Sequence, residues 1–134
     1  MNGLDFILFN EEYARCKLAE YWNVPPIKII HLSKLNPCSN YDLFYNNKKI
    51  DVKTSNPVVI VKNRNPIWDF SLRKMRSGKR IGQNFECDFF VLIGMKNGIP
   101  KAIYLVPSRE SPKNHLRISL TGNSKYEKYK IFNI

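Results

Sequence analysis

The sequence predicts an α/β protein in which an N-terminal helix packs on one face of a mixed β-sheet. Residues 4–22 carry apolar side chains at helical spacing, whereas short β-prone runs follow Val24. Residues 87–94 form a continuous apolar run, which is typical of a strand that is covered on both faces. Because a chain of 134 residues can bury one sizeable core, we expect a single domain over residues 1–134.

The predicted helix places one acid on its apolar stripe. The stripe consists of Ile7, Ala14, Leu18, Tyr21 and Trp22. At about 100° per residue, Glu11 lies within about 20° of Leu18, whereas Glu12 points about 120° away. A buried carboxylate is costly unless it is paired, protonated or bound to metal. Glu11 is therefore either a functional acid that faces inward or a structural residue that reaches solvent at a helix end or pairs with Arg15.

The runs after Val24 predict the strands of the sheet. They cover residues 28–32, 41–45, 49–55, 58–61 and 67–72. The apolar run at 87–94 predicts a central strand, with a neighbour at 101–107 across the turn at 96–100. Residues 115–120 favour one more strand, and residues 125–134 are ambiguous.

A hairpin in this region brings two acids together. If Asn46 and Asn47 form a two-residue turn, Asp42 faces Asp51 across the strands, and Lys53 shares their face. Two carboxylates roughly 5 Å apart repel each other, so they favour a cation, and Mg²⁺ prefers such oxygen ligands. A bulged three-residue turn would shift the register and separate the acids. Surface hairpins also carry Asp and Lys for solubility and edge protection alone.

The charge balance predicts a polyanionic partner. Twenty-two Lys and Arg residues against eleven Asp and Glu residues give a net charge of +11. Nucleic acid is the usual partner of such a protein, although an anionic membrane surface or ribosomal RNA would suit the same composition. No acid lies between Asp69 and Glu86, and this segment contains Arg73, Lys74, Arg76, Lys79 and Arg80. We expect a flexible basic loop that contacts phosphates, with a solvated charge run as the alternative.

The remaining composition indicates a cytoplasmic protein without a membrane anchor. The three cysteines are an odd number without paired spacing, and the sequence has no signal peptide and no apolar run of membrane-spanning length. His31 and His115 have no partner at metal-ligand or catalytic-triad spacing, so both are interpreted as structural.

The order of these features resembles the PD-(D/E)XK nuclease superfamily, whose fold is restriction-endonuclease-like. The segment that starts at Glu11, Glu-Glu-Tyr-Ala, looks like the Glu-x-x-Ala opening of the first helix in its small intron-homing and resolvase-like members. Tyr41-Asp42 resembles the Pro-Asp element, with Tyr in place of Pro, and Asp51-Val-Lys53 resembles the Asp-x-Lys strand. The resemblance covers most of residues 4–107.

The resemblance implies an Mg²⁺-dependent DNA endonuclease of the homing, restriction or junction-resolving type, with Mn²⁺ as a possible substitute. Asp42, Asp51 and the Val52 carbonyl oxygen would ligate the metal, Glu11 would complete the shell, and Lys53 would orient the attacking water. The implied DNA contacts are the five basic residues above together with Thr54 and Ser55. An enzyme that cuts both strands of duplex DNA is usually a homodimer or a higher homo-oligomer. The alternative is a basic nucleic-acid-binding domain without catalysis.

Overall fold

The chain begins with helix α1 (Gly3–Trp22). The computed structural model describes residues 3–36, 39, 41–72, 74–76, 79–81 and 87–134, with backbone alone for residues 3–6, 74–76 and 79–81. The predicted stripe is confirmed at Ala14 and Leu18, which are fully buried. It is wrong at Ile7 and Tyr21, which are about half exposed. Ile7 lines an open groove together with Val52 and Thr54 of the sheet, so its side chain is only partly buried.

Short strands make up most of the rest of the chain. In chain order they are β1 (Ile30–His31), β2 (Leu43–Tyr45), β3 (Lys48–Ser55), β4 (Pro57–Val58), β5 (Ile67–Ser71), β6 (Lys74–Arg76), β7 (Lys79–Ile81), β8 (Phe89–Lys96), β9 (Ile99–Pro107), β10 (His115–Ser119) and β11 (Lys130–Asn133). A single helical turn, α2 (Leu32–Leu35), follows β1 directly.

The main sheet has six strands in the order β1-β2-β3-β8-β9-β11. Strands β3 and β8 are parallel and all other neighbours are antiparallel, so the mixed α/β prediction is confirmed. The connection between β3 and β8 carries a second, three-stranded sheet in the order β10-β5-β4, to which β10 is added from later in the chain.

The main sheet is covered on both faces. On one face, α1 packs its buried residues against Ile50, Val91 and Ile93. On the other face, Phe90 and Leu92 pack against the second sheet. The prediction of a central strand with two buried faces is therefore confirmed for β8. At the C-terminal end of α1, the Trp22 ring stacks on Tyr45 of β2 with centroids 4.9 Å apart.

One close contact locks the second sheet onto β8. The indole ring of Trp68 lies over Gly94, where an added Cβ would be 2.5 Å from the ring. The pairing of β8 with β9 shifts register between Gly94 and Met95, and here the Met95 carbonyl accepts a 2.8 Å hydrogen bond from the Trp68 indole N–H. Glycine at this position is therefore required by the close approach of the ring.

Three predicted elements differ from the structure. Residues 58–61 are not a strand, because β4 ends at Val58 and the following residues close a turn in which Arg64 N–H donates to the Val61 carbonyl. Residues 28–32 shorten to β1, since the consecutive prolines start a 3₁₀ turn at Pro26–Lys28. The predicted flexible basic loop contains the antiparallel pair β6 and β7, whereas Arg73 lies outside the described residues.

The hairpin turn is as predicted. Asn46 and Asn47 have φ values of 49° and 62°, and the adjacent Tyr45 and Lys48 are register partners. Two successive residues with positive φ identify the two-residue turn that matches the twist of antiparallel strands. The predicted register therefore holds from the turn outward.

The pairing stops one residue short of the predicted acid pair. The ladder ends at Leu43 and Ile50, and the Asp42 N–H donates to the Ile50 carbonyl at 3.1 Å instead of pairing opposite Asp51. The Asp42 carboxylate turns to the edge of β3 that faces β2, where its Oδ2 accepts from the Val52 N–H at 2.8 Å. The direct cross-strand pair of aspartates is thus wrong, because an irregularity at Asp42 replaces the last step of the ladder.

The turn supplies a test of the hairpin. We expect Asn47→Gly to leave the free energy of unfolding unchanged or slightly higher, and Asn47→Val to lower it by about 1–2 kcal/mol, because a β-branched residue is strained at positive φ. Urea denaturation followed by circular dichroism measures both changes. Lys48→Val, on the adjacent exposed strand position, is the control. Equal stability of the two valine variants would contradict a turn at Asn46 and Asn47.

Candidate active site

Three acids from separate elements converge where β2 begins. Glu11 comes from α1, Asp42 precedes β2, and Asp51 lies in β3. Glu11 is 5% exposed and Asp51 is 3% exposed. Because β2 begins at Leu43, no described strand pairs with this edge of β3 beyond Ile50, and the Asp42 carboxylate lies there. Acids from the helix side and from the opposite face of the sheet therefore meet around Asp42.

The proximity of these acids is visible in the protonation of Asp42. Burial, followed by the charges of Asp51 and Glu11, raises the pKa of Asp42 to about 8. The hydrogen bond from the Val52 N–H favours the ionised carboxylate, but it does not outweigh burial and repulsion. A hydrogen bond between Asp42 and Glu11 also favours a protonated Asp42. Near neutral pH, a proton on Asp42 relieves part of the repulsion within the cluster.

The structure distinguishes the two glutamates of the helix. Glu11 Oε1 accepts hydrogen bonds from Ser33 Oγ at 2.6 Å and from His31 Nε2 at 3.1 Å. The Glu12 side chain is 41% exposed and forms an ion pair with Arg15 at 2.5 Å. The predicted inward orientation of Glu11 is confirmed. The alternative pairing of Glu11 with Arg15 is wrong, because Arg15 lies on the side of the helix where Glu12 points.

His31 is the residue at this site that the sequence did not reveal. It was expected to be isolated, yet it is buried between Glu11 and Glu12, with Nδ1 3.1 Å from Glu12 Oε2. About twenty residues separate it from these acids, and only the placement of β1 beside α1 brings them together. No local spacing encodes such a contact. The other histidine, His115, also has a partner, since its Nδ1 is 3.1 Å from Asp69 Oδ1.

The Asp-x-Lys segment lies in β3 beside the parallel strand β8. Asp51 is opposite Phe90 and Lys53 is opposite Leu92, so both side chains are on the face that carries the second sheet. Lys53 is half-buried. The predicted common face of Asp51 and Lys53 is confirmed by this alternation.

The neighbouring residues of β3 have different surroundings. Val52 and Thr54 line a groove of about 110 Å³ together with Ile7, Asn10 and Glu11. Thr54 is exposed at this groove, beside the acid cluster. The Ser55 hydroxyl is engaged within the protein, because it donates to the Asn56 carbonyl at 2.8 Å and accepts from the Asp69 N–H at 3.0 Å. Thr54 is thus more accessible to a ligand than Ser55.

The donor set suits a hard cation, although it is not arranged to hold one. Within the described residues, no group of three or more His, Cys, Asp and Glu side chains is positioned to bind a metal ion. Glu11 Oε1 already accepts hydrogen bonds from Ser33 and His31, and the raised pKa of Asp42 favours its protonated form. Buried carboxylates that repel one another are nevertheless the ligands that Mg²⁺ prefers. A cation would have to replace the proton on Asp42.

The predicted DNA-binding segment is described only in part. Its backbone forms β6 and β7, in which Met75 is the register partner of Arg80. Arg73 lies outside the described residues, as do the side chains of Lys74, Arg76, Lys79 and Arg80. No described helix is both long enough and apolar enough to cross a membrane.

The raised pKa of Asp42 predicts a pH-dependent stability. A carboxyl whose pKa is higher in the folded state binds its proton more tightly there, so stability is greatest below the unfolded pKa of 3.8 and falls as the pH rises to about 8. At about 1.4 kcal/mol per pKa unit, the loss amounts to a few kcal/mol. We expect urea denaturation in EDTA to show this decline for the wild type and a flatter profile for Asp42→Asn. An equally flattened profile for the control variant Asp88→Asn would show that the pH dependence of stability does not come from Asp42.

No family model, curated protein or solved structure matches the chain. The resemblance to PD-(D/E)XK nucleases therefore rests on the order of Glu11, Asp42, Asp51 and Lys53 in the sequence. Independently of that resemblance, the structure is a mixed α/β architecture in which a helix and a hairpin bring three acids together at one edge of β3.

Proposed function

We propose that the protein is a Mg²⁺-dependent endonuclease with a restriction-endonuclease-like fold, which hydrolyses phosphodiester bonds in double-stranded DNA. The observation that carries this proposal is the convergence of Glu11, Asp42 and Asp51, which raises the pKa of Asp42 to about 8. Taking several carboxylates out of water costs several kcal/mol per ion, so such a cluster is a poor stabilising element. Cation binding would explain why the three acids are nevertheless placed together.

In this proposal, Asp42, Asp51, the Val52 carbonyl and Glu11 hold the cation, with Mn²⁺ able to replace Mg²⁺. A divalent cation supplies Lewis-acid polarisation of the scissile phosphate and neutralises its developing charge. Lys53 shares the face of Asp51 and carries an ammonium group, which can donate hydrogen bonds to a water or a phosphate oxygen.

The charge of the whole chain supports DNA as the substrate. At +11 the protein repels itself and attracts a polyanion, and the basic segment around β6 and β7 supplies cations for phosphate contacts. Cleavage of both strands implies a homodimer or a higher homo-oligomer of the homing, restriction or junction-resolving type. The three cysteines are an odd number without paired spacing, which supports a reducing cytoplasm.

The competing function is DNA binding without catalysis. A protein that only binds phosphates gains nothing from acids such as Asp42 and Asp51 near its ligand, because they repel it. The net charge supports both functions equally, whereas the acid cluster favours the enzyme. Cleavage of supercoiled plasmid and of branched DNA, each with Mg²⁺ or EDTA, separates the two.

The catalytic proposal predicts the effect of one substitution in the cluster. We expect Asp51→Asn to lower the cleavage rate of supercoiled plasmid by at least about 100-fold, a loss typical of removing one group that stabilises transition-state charge. Binding in EDTA should remain or tighten slightly, because a negative charge near the phosphate is removed. Gel shift in EDTA and plasmid nicking in Mg²⁺ measure the two effects.

Glu20→Gln is the matched control, because it removes one negative charge from an exposed position on the same protein. It should leave cleavage unchanged. A folded Asp51→Asn variant that loses binding together with cleavage would contradict the catalytic role. Wild-type protein that binds DNA but cuts neither substrate in Mg²⁺ or Mn²⁺ would support the non-catalytic alternative.

The basic segment predicts a change in salt dependence. Replacing Arg76, Lys79 and Arg80 with Ala should weaken binding to all duplex sequences similarly. It should also flatten the slope of log affinity against log salt by roughly 0.9 for each phosphate that is no longer neutralised. Fluorescence anisotropy over a salt series measures the slope.

A triple alanine variant at exposed lysines elsewhere, Lys113, Lys125 and Lys128, controls for the reduced net charge. It should change the slope less than the variant in the basic segment. Equal slopes for the two variants would show that the segment is a solvated charge run. A changed sequence preference with an unchanged slope would make it a base-reading element.

A further inference from the structure

We propose that His31 is a positioning residue that holds the Glu11 carboxylate toward Asp42, and that Glu12 and Arg15 act on the site through it. The inference rests on the proposed function, since only there is Glu11 a metal ligand. It assigns a role to a buried histidine and a partly buried ion pair that the metal site does not itself use.

Both ring nitrogens of His31 are engaged. Nε2 is 3.1 Å from Glu11 Oε1, and Nδ1 is 3.1 Å from Glu12 Oε2. The ring is 7% exposed, so the surrounding protein restricts its rotation. His31 thus connects an acid of the cluster to an acid that contacts solvent.

The outer end of this connection is attached to the backbone. The Arg15 guanidinium forms an ion pair with Glu12 Oε1 at 2.5 Å, and its Nε donates to the Ile29 carbonyl at 2.7 Å. Ile29 lies two residues before His31 in the chain. The path from Ile29 through Arg15 and Glu12 back to the His31 ring is therefore a closed loop, which restrains the imidazole from both sides.

The inner end of the connection restrains Glu11. Its Oε1 receives two hydrogen bonds, from His31 Nε2 and from the Ser33 hydroxyl. A carboxylate held in this way has a fixed rotamer. Such a restraint favours cation binding, because less side-chain freedom is lost when the ligand is already oriented.

Stability alone does not explain this arrangement. A buried polar network is often no more stable than apolar side chains of similar volume, and here it includes two acids of like charge. Hydrogen-bonded partners of metal ligands, by contrast, typically contribute about 10–100-fold to metal affinity or activity. The position of His31 matches that of such a partner of Glu11.

Cation binding to the purified protein provides the test. Titration calorimetry with Mn²⁺, alone and with a double-stranded oligonucleotide, gives the dissociation constant for each variant. We expect His31→Ala to weaken Mn²⁺ binding by about 10–100-fold. His31→Gln should lie between that variant and the wild type, because its amide can still donate to Glu11. His115→Ala, which removes the other histidine and its contact with Asp69, should bind Mn²⁺ as the wild type does.

A double-mutant cycle separates positioning from general destabilisation. Glu12→Gln should weaken Mn²⁺ binding in the wild type but have no further effect in the His31→Ala background, because Glu12 acts only through the ring. Additive effects in the cycle would overturn this pathway. Circular dichroism and urea denaturation establish whether each variant is folded. If His31→Ala is unfolded, the cycle is measured with His31→Gln and Glu12→Gln instead.

The remaining outcomes separate the inference from the proposed function. A wild-type protein that binds neither Mn²⁺ nor Mg²⁺, with or without DNA, overturns the proposed function and this inference with it. A wild type that binds Mn²⁺ while folded His31→Ala binds it equally overturns the positioning role alone. Tighter binding by His31→Ala also overturns it, because His31 would then compete with the cation for Glu11.

Discussion

The short pairing of β2 with β3, which stops at Leu43 and Ile50, is the constraint on which the site depends. Strand β3 is paired along most of its length with β8, whereas β2 covers its other edge only as far as Leu43. Beyond that point, the Val52 N–H is satisfied by a side chain, Asp42, rather than by a neighbouring strand. A polar group that must be paired thus fixes an acid at the edge where Glu11 and Asp51 approach from opposite sides.

The parallel pairing of β3 with β8 has a second consequence. Parallel neighbours need a long crossover, and here the crossover contains β4 to β7. Part of it returns as the second sheet and covers the face that carries Asp51 and Lys53. The topology therefore buries the Asp-x-Lys face and places the basic β6 and β7 pair in the same connection.

Features governed by local periodicity could be predicted from the sequence. The two Asn residues at the turn, the helical phase of Glu11 and the apolar run of β8 each depend on near neighbours in the chain, and each is confirmed. The contacts of His31 and the irregularity at Asp42 depend on elements far apart in sequence, so no spacing rule contains them. The apolar residues that follow β4 fit a strand pattern but form no strand. The pattern reflects the conformational preference of each residue, whereas a strand also needs a neighbouring strand to pair with.

The contact between Trp68 and Gly94 determines how β5 is aligned with β8. The indole ring occupies the space that a side chain would fill, and its N–H is bound at the register shift of β8. Sliding β5 by one residue would replace the ring with Ile67 or Asp69 and leave a void over the glycine. The contact therefore selects one register of β5 relative to β8, so that the crossover sheet and β8 pack in a single arrangement.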